Sequence, residues 1–246
     1  KQRRVPTLAV VNVVGSSISR EADYVIYTWA GPEIAVASTK AYTVQLGVMY
    51  LLAMQFALCK HTMTPEQVEK MGKTIQEIPQ QMQQILEKTD DCKYYASRFQ
   101  NASDLFFIGR GLDYAISLEG SLKLKEISYM HSEAYAAGEL KHGTISLIDT
   151  DVPVIAVATQ SNLYEKTVSN IKEVVTRGAK VLLVVKEGLP VDMSTARYVL
   201  SIPSAEDIYM PLLSVIPLQL FAYYTAVLRG CDVDKPRNLA KSVTVE

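Results

Sequence analysis

DLFFIGRGLDYAISLEGSLKLKEIS, residues 104–128, passes from a short apolar run through a glycine-bounded turn into a helical pattern. DLFFIG at 104–109 is continuous, apolar and aromatic, as a strand covered on both faces is. The same alternation recurs downstream. VPVIAVA at 152–158, AKVLLVV at 179–185 and RYVLSIP at 197–203 read as strands, with a helix at about 162–177 and a closing helix at 208–228 that Gly230 ends. Strands separated by helices predict an α/β fold built on a doubly wound parallel sheet.

Working outward, TLAVVNVV at 7–14 reads as a buried parallel strand and YVIYT at 24–28 as a second. A helical turn around Ser16–Glu21 separates them, and AGPE precedes a long apolar helix that starts near Ser38. Two strands and one helix cannot cover both faces of a parallel sheet, so further strands are expected upstream of residue 1. TPEQ at 64–67 supplies an N-cap, a proline at the first helical position and an acid, launching a Gln-rich helix to about Lys88. A further helix is expected at about 90–100. The expected division is a remnant of a first unit at 1–62, a complete unit at 63–230 and an extended C-terminal tail at 231–246. Both units carry a short strand followed by a long apolar helix, which hints at an internal duplication.

The composition is that of a folded globular protein: 246 residues, 48% hydrophobic and 21% charged. With 25 Lys and Arg against 26 Asp and Glu, no basic field exists to attract nucleic acid. Cys59, Cys92 and Cys231 lack metal or disulfide spacing and read as buried free thiols in a reducing compartment. Residues 41–59 and 208–228 carry no charge and approach the ~20 residues that cross a bilayer. Polar residues such as Thr43, Gln45 and Gln219, and prolines at Pro211 and Pro217, argue instead for helices buried in an α/β protein with no membrane partner. No signal-peptide pattern opens the chain, and the expected location is the cytoplasm.

Chemistry concentrates in EGSLKLKEISYMHSEAYAAGELKHG, residues 119–143. Glu119, Lys123 and Glu126 recur at spacings of four and three, which stacks them on one helix face. At about 100° per residue, Ser117, Ser121 and Ser128 cluster with Lys125 on the opposite side. Leu118, Leu122, Ile116, Ile127, Tyr129 and Met130 flank the charges, so the stripe points toward a core or a cleft. A buried ion-pair network explains it as well as a proton-handling site does. Its helix begins just past the strand end at Gly109, so the stripe is expected in the crevice where open α/β sheets bind ligands. His142 lies in a Gly-bounded loop and is the best acid/base candidate of three histidines; His131 and His61 read as structural or surface residues. Gly109-Arg110-Gly111 is a weak phosphate-binding signal. Ser16-Ser17 and Ser38-Thr39 fit helix capping at least as well as anion binding. Lys241, taken alone, is a solvated lysine; only in a desolvated pocket would it become a Schiff-base nucleophile.

With these stretches, AGPEIAVASTKAYT at 30–43 and the terminal PRNLAKSVTVE, the whole chain resembles the isomerising glutamine:fructose-6-phosphate amidotransferases, or glucosamine-6-phosphate synthases. It is similar to the C-terminal part of their isomerase region, which consists of two sugar-isomerase (SIS) domains of flavodoxin-like type. The resemblance implies that Glu126 moves a proton between C1 and C2 of the sugar, with Glu119 and Lys123 beside it. It implies that His142 assists ring opening from the neighbouring subunit of a homodimer, and that Lys241 forms a Schiff base with the ketose. Glu33, Val36, Ser38 and Ala240 are implied to border the sugar. Fructose-6-phosphate and glucosamine-6-phosphate are the implied ligands, ammonia comes from an upstream glutaminase domain, and neither a metal nor an organic cofactor is implied. None of the three cysteines inherits the glutaminase nucleophile's role. The phosphate-binding Ser/Thr loops of the first SIS domain would lie before residue 1, so this stretch alone is expected to be inactive or very weak. A non-enzymatic phosphosugar sensor and a stand-alone phosphosugar isomerase are the alternatives.

Overall fold

A computed structural model of the chain describes Arg3 and residues 5–241. The rest of the basic KQRR start and the final SVTVE of the quoted C-terminal motif lie outside the described residues. Two compact units form, Lys1–Gln76 and Glu77–Glu246.

In the first unit, β1 (Leu8–Val11) and β2 (Tyr24–Tyr27) pair in parallel, Leu8 opposite Tyr24 and Val11 opposite Tyr27. The short helix α1 (Ser17–Glu21) connects them, its N-cap Ser16 accepting from the Ser19 amide. Neither strand is the buried one its apolar sequence suggests, since only Ala9 is fully covered. The following helix α2 (Lys40–Cys59) departs from expectation in the same way. It is apolar on all sides, yet only 11% of its most hydrophobic stretch is buried, and Leu51 and Phe56 are more than half exposed. A helix without a polar face needs cover all round, and a two-stranded sheet offers one narrow surface. Helix α3 (Pro65–Glu87) starts with a reciprocal capping box: Thr64 Oγ1 accepts from Gln67 N–H, and Gln67 Oε1 accepts from Thr64 N–H. The division between the two units falls inside this helix, at 76/77.

The second unit runs α4 (Thr89–Phe99), β3 (Asp104–Gly109), α5 (Leu112–Ser128), β4 (His131–Ala136), β5 (Pro153–Ala158), α6 (Tyr164–Val175), β6 (Lys180–Lys186), β7 (Tyr198–Ile202) and α7 (Met210–Leu228). All five strands are parallel in the order β4-β3-β5-β6-β7. Numbered within the unit, that is 2-1-3-4-5, the flavodoxin-like doubly wound order. Alternate strand residues Phe106, Ile108, Val154, Ala156, Val181 and Leu183 pack under α6 and the segment Ala137–Ile148. The other face carries α4, α5 and α7. Each buried Val, Leu, Ile or Phe contributes about 1.5–3 kcal/mol, so continuous runs such as VLLVV in β6 are what hold the sheet.

Strand β4 was not expected. HSEAYA pairs residue for residue with β3, Asp104 opposite His131 through Gly109 opposite Ala136. It is the sheet's edge, with only Ser132 fully buried, so its sequence carries no apolar run. Segment 137–142 is a 3₁₀ helix, not an open loop. Helix α7 is the buried apolar helix expected from composition, with 61% of its apolar window covered.

Candidate active site

Helix α5 presents its core face where the sequence pattern placed the outside. Ser117, Ser121 and Ser128 are essentially buried, whereas Leu118, Leu122 and Lys125 are exposed. Small residues let α5 lie close to its neighbours: a Cβ added at Gly120 would come within 2.7 Å of the Leu218 side chain on α7. The buried hydroxyls are satisfied locally, Ser117 and Ser128 donating to the carbonyls of Asp113 and Leu124, and Ser121 bonding Ser132 on β4. The charged stripe runs along the border between this core face and the exposed one.

Lys123 is 4% exposed. Its ammonium stands 2.5 Å from Glu126 Oε2 and 3.6 Å from Glu119 Oε1. Burial pushes the Glu119 carboxyl above the ordinary carboxylate range; the Lys123 charge opposes this and the Glu126 charge adds to it. Glu126 Oε2 is buried against the Lys123 ammonium. The sequence-predicted triad is therefore one ionic cluster, with the Lys123 ammonium set between the two carboxylates.

Its position corrects the expectation drawn from the strand end. At 1.5 Å per residue, Glu119 lies ~10 Å and Glu126 ~20 Å along α5 from the helix start, toward the amino ends of the parallel strands. The crevice at the carboxyl ends of β3 and β5 holds a different network, which the sequence reading missed. Asp113 is 2% exposed and accepts from the Thr159 amide at 2.8 Å, the Thr159 hydroxyl at 2.5 Å and the Gln160 amide at 3.2 Å. Burial raises its carboxyl despite these bonds. Beside it, Asp207 accepts from Ser161 N–H at 2.7 Å and from buried Lys186 at 2.5 Å. Burial acts to raise Asp207, but the Lys186 and Ser161 bonds prevail and lower it. TQS directly after an apolar strand was the available signal. Gly109 belongs to the same turn, since a Cβ there would sit 2.6 Å from the Asp113 backbone. Arg110 turns away from the crevice to Asn170.

The remaining candidates are spread out. His142 ends the 3₁₀ helix Ala137–His142; its side chain is 75% exposed and faces Glu139 at 3.8 Å. His131 bonds Asp104 across β4 and β3, a structural role as read. Lys241 and Ala240 are exposed at the end of the described C-terminal stretch. In the first unit, Glu33, Val36 and Ser38 are half-buried. The Glu33 carboxylate, not Ser38 or Thr39, caps α2: Oε1 accepts from the Thr39 and Ala41 amides at 2.9 and 3.2 Å, and the Thr39 side chain makes no capping bond. Of the cysteines only Cys92 is buried, its thiol pushed up to about 12 by burial; Cys59 is exposed and Cys231 half-buried. Among the described residues no cluster of three or more His, Cys, Asp or Glu side chains fits a metal ion.

The SIS domain model matches residues 1–55 and 98–229. The chain is 58% identical over its full length to a glutamine–fructose-6-phosphate aminotransferase [isomerizing] of Clostridium tetani, and 55% identical over 97% of its length to that of Clostridium acetobutylicum. It spans 40% and 39% of those proteins. Among solved structures it is similar to the C-terminal domain of glucosamine-fructose-6-phosphate aminotransferase from Francisella tularensis. The TM-score is 0.91 at 39% identity, over 94% of this chain and 66% of that one. Parallel strands in 2-1-3-4-5 order and the matched segments agree: the chain belongs to the SIS domain family.

Proposed function

We propose that this chain is the isomerase part of an isomerising glutamine–fructose-6-phosphate aminotransferase. It would convert fructose-6-phosphate and ammonia to glucosamine-6-phosphate and water, the ammonia coming from glutamine at an upstream glutaminase domain. The observation that carries the reading is the cluster itself: a buried Lys123 ammonium between Glu119 and Glu126, with the Glu126 side chain keeping 23% exposure. Full-length similarity to the clostridial aminotransferases supports it.

In this reading the Lys241 amine adds to the C2 carbonyl and water leaves, giving an iminium. Ammonia then displaces the lysine, leaving the imine of the sugar. Glu126 takes the proton from C1 and returns one at C2, so the C1 hydroxyl carbon becomes the aldehyde carbon and C2 keeps the nitrogen. Lys123 orients Glu126 through their ion pair while its charge offsets the charge that develops on the enaminol. Glu119, its carboxyl raised by burial, is the second acid of the cluster. His142 assists ring opening from the neighbouring subunit, a role its exposure supports. Glu33, Val36, Ser38 and Ala240 border the sugar. No metal or organic cofactor enters any step.

The organisation that goes with this function is a C-terminal remnant of a first SIS domain at 1–62, a second SIS domain at 63–230 and a tail at 231–246 contributing Lys241. The parent works as a cytoplasmic homodimer, and this stretch alone is inactive or very weak. The test is Glu126→Gln in the full-length parent. Glutamine cleavage should persist while glucosamine-6-phosphate formation falls by 10²-fold or more, the usual worth of a positioned acid/base. Unchanged synthase activity would overturn the assignment, and tight sugar-phosphate binding with no turnover in the wild type would favour a sensor.

A further inference from the structure

Tyr129 follows α5 in a conformation that costs a side chain energy. Its φ of 58° and ψ of 18° are left-handed, a helix-end geometry that glycine adopts freely and a bulky residue does not. A strained residue of this kind persists where the surrounding contacts over-determine it. Here the side chain grips the C-terminal stretch. The Arg237 guanidinium lies 4.2 Å from the centre of the Tyr129 ring, and the Arg237 amide donates to the Tyr129 hydroxyl at 2.7 Å. One residue earlier Pro236 is buried, and one residue later Asn238 has a φ of 61°, so the chain is seated and then reversed. Upstream, Asp232 Oδ1 fixes the approach by accepting from the Asp234 and Lys235 amides.

Two distances in sequence give this clasp its meaning. Tyr129 is three residues after Glu126, and Lys241 is four residues after Arg237. An extended chain spans at most ~3.6 Å per residue, so the clasp confines the Lys241 Cα within ~14 Å of Arg237. Without it, the non-helical stretch beyond Gly230 would let the amine range over a far larger volume.

We propose that Tyr129 is a positioning residue for the reaction, clasping Arg237 so that Lys241 is presented to the end of α5 that carries Glu126. This rests on the Schiff-base role given to Lys241 above. The clasp acts through placement of the amine; Tyr129 touches no reacting atom. Removing it should lower the rate of imine formation and leave glutamine cleavage untouched.

The experiment uses the full-length parent. Wild type, Tyr129→Gly, Tyr129→Phe and Arg237→Gln are incubated with fructose-6-phosphate and borohydride, which delivers hydride to the C=N bond and fixes the sugar to the lysine as a secondary amine. Labelling at Lys241 is read by peptide mass, alongside kcat, KM and Tm. A misplaced reactive group costs on the order of 10²-fold, so Tyr129→Gly should lose about that in labelling rate and kcat with little change in KM. Tyr129→Phe keeps the ring over Arg237 and should lose about fivefold, the worth of one hydrogen bond. Arg237→Gln, which leaves α5 untouched, should fall between them. A purely structural helix cap predicts the reverse for glycine, with Tm and activity at least those of wild type; that result would overturn the proposal. Full labelling in Arg237→Gln would overturn it too. Absence of Lys241 labelling in the wild type would instead overturn the Schiff-base reading and this proposal with it.

Discussion

Replacing Lys123 with Met removes the one cation between two half-buried carboxylates and keeps nearly the same volume. At an effective dielectric of about 20, contacts of 2.5 Å to Glu126 and 3.6 Å to Glu119 are worth about 7 and about 5 kcal/mol before desolvation. Taking an ammonium out of water offsets several kcal/mol of that, and removing one partner of a buried cluster costs 3–5 kcal/mol. The glutamate side chains keep 11% and 23% exposure, so Lys123→Met should destabilise by about 3 kcal/mol at neutral pH, the low end of the range. The pH dependence is diagnostic. Glu119 is already raised above its ordinary 4.5, so over the window from 4.5 to that raised value the folded chain binds more protons than the unfolded one. Stability from this group is complete below the window and falls as pH rises through it. Without the lysine Glu119 loses the charge that opposes its rise, so the window should widen upward and the variant should recover most of its deficit at acid pH. Native-state hydrogen exchange of α5 amides, followed from acid to neutral pH, reads this unit by itself. A Glu119→Gln/Lys123→Met/Glu126→Gln triple variant should regain most of the loss at neutral pH. A Lys123→Met deficit that is absent, or constant with pH, would refute the view of the stripe as one coupled ionic cluster.

Gly120→Val should cost about 1–3 kcal/mol by overpacking, because even its Cβ would meet Leu218 at 2.7 Å and Phe107 at 3.1 Å. Combined with Leu218→Ala the two losses should sum to less than their separate values, a coupling that a double-mutant denaturation cycle measures. Thiol titration with an aromatic disulfide should modify Cys59 readily in the native chain. Cys92, buried and with its thiol pushed up to about 12, should react only on unfolding. Equal native rates at the two would contradict the packing of α4.

What the sequence made legible follows from how each element is covered. β3, β5 and β6 lie inside the sheet with helices on both faces, so their residues are apolar without interruption and announce themselves. β4 is an edge held mainly by backbone pairing to β3, and HSEAYA therefore lacks any periodic signal. The faces of α5 were misread for a related reason. Close helix packing selects Gly and Ser, whose hydroxyls return to carbonyls four residues back, so a stripe that looks polar is the core. The triad Glu119, Lys123 and Glu126 was visible because i, i+4 and i, i+3 spacing fixes neighbours without knowledge of the rest of the fold. Asp113 with Thr159, 46 residues apart, and Tyr129 with Arg237, 108 apart, meet only through the fold. No local pattern could pair them.

The same long-range pairing occupies the strand-end amides of the second unit. Doubly wound sheets bind anions at the switch point, through backbone N–H groups at the strand ends. In this unit those donors, the Thr159 and Gln160 amides, already serve the Asp113 carboxylate, and the Ser161 amide serves Asp207. A phosphate entering there would have to displace a buried carboxylate and meet its charge, two costs that act in the same direction. These three amides are thus engaged by the protein's own acids. The far half of α5 differs: it holds a buried cation paired with two partly exposed carboxylates, and a strained tyrosine gripping a segment that carries a second lysine. The second unit thus commits its strand-end amides to its own carboxylates and carries the Glu119, Lys123 and Glu126 cluster farther along α5.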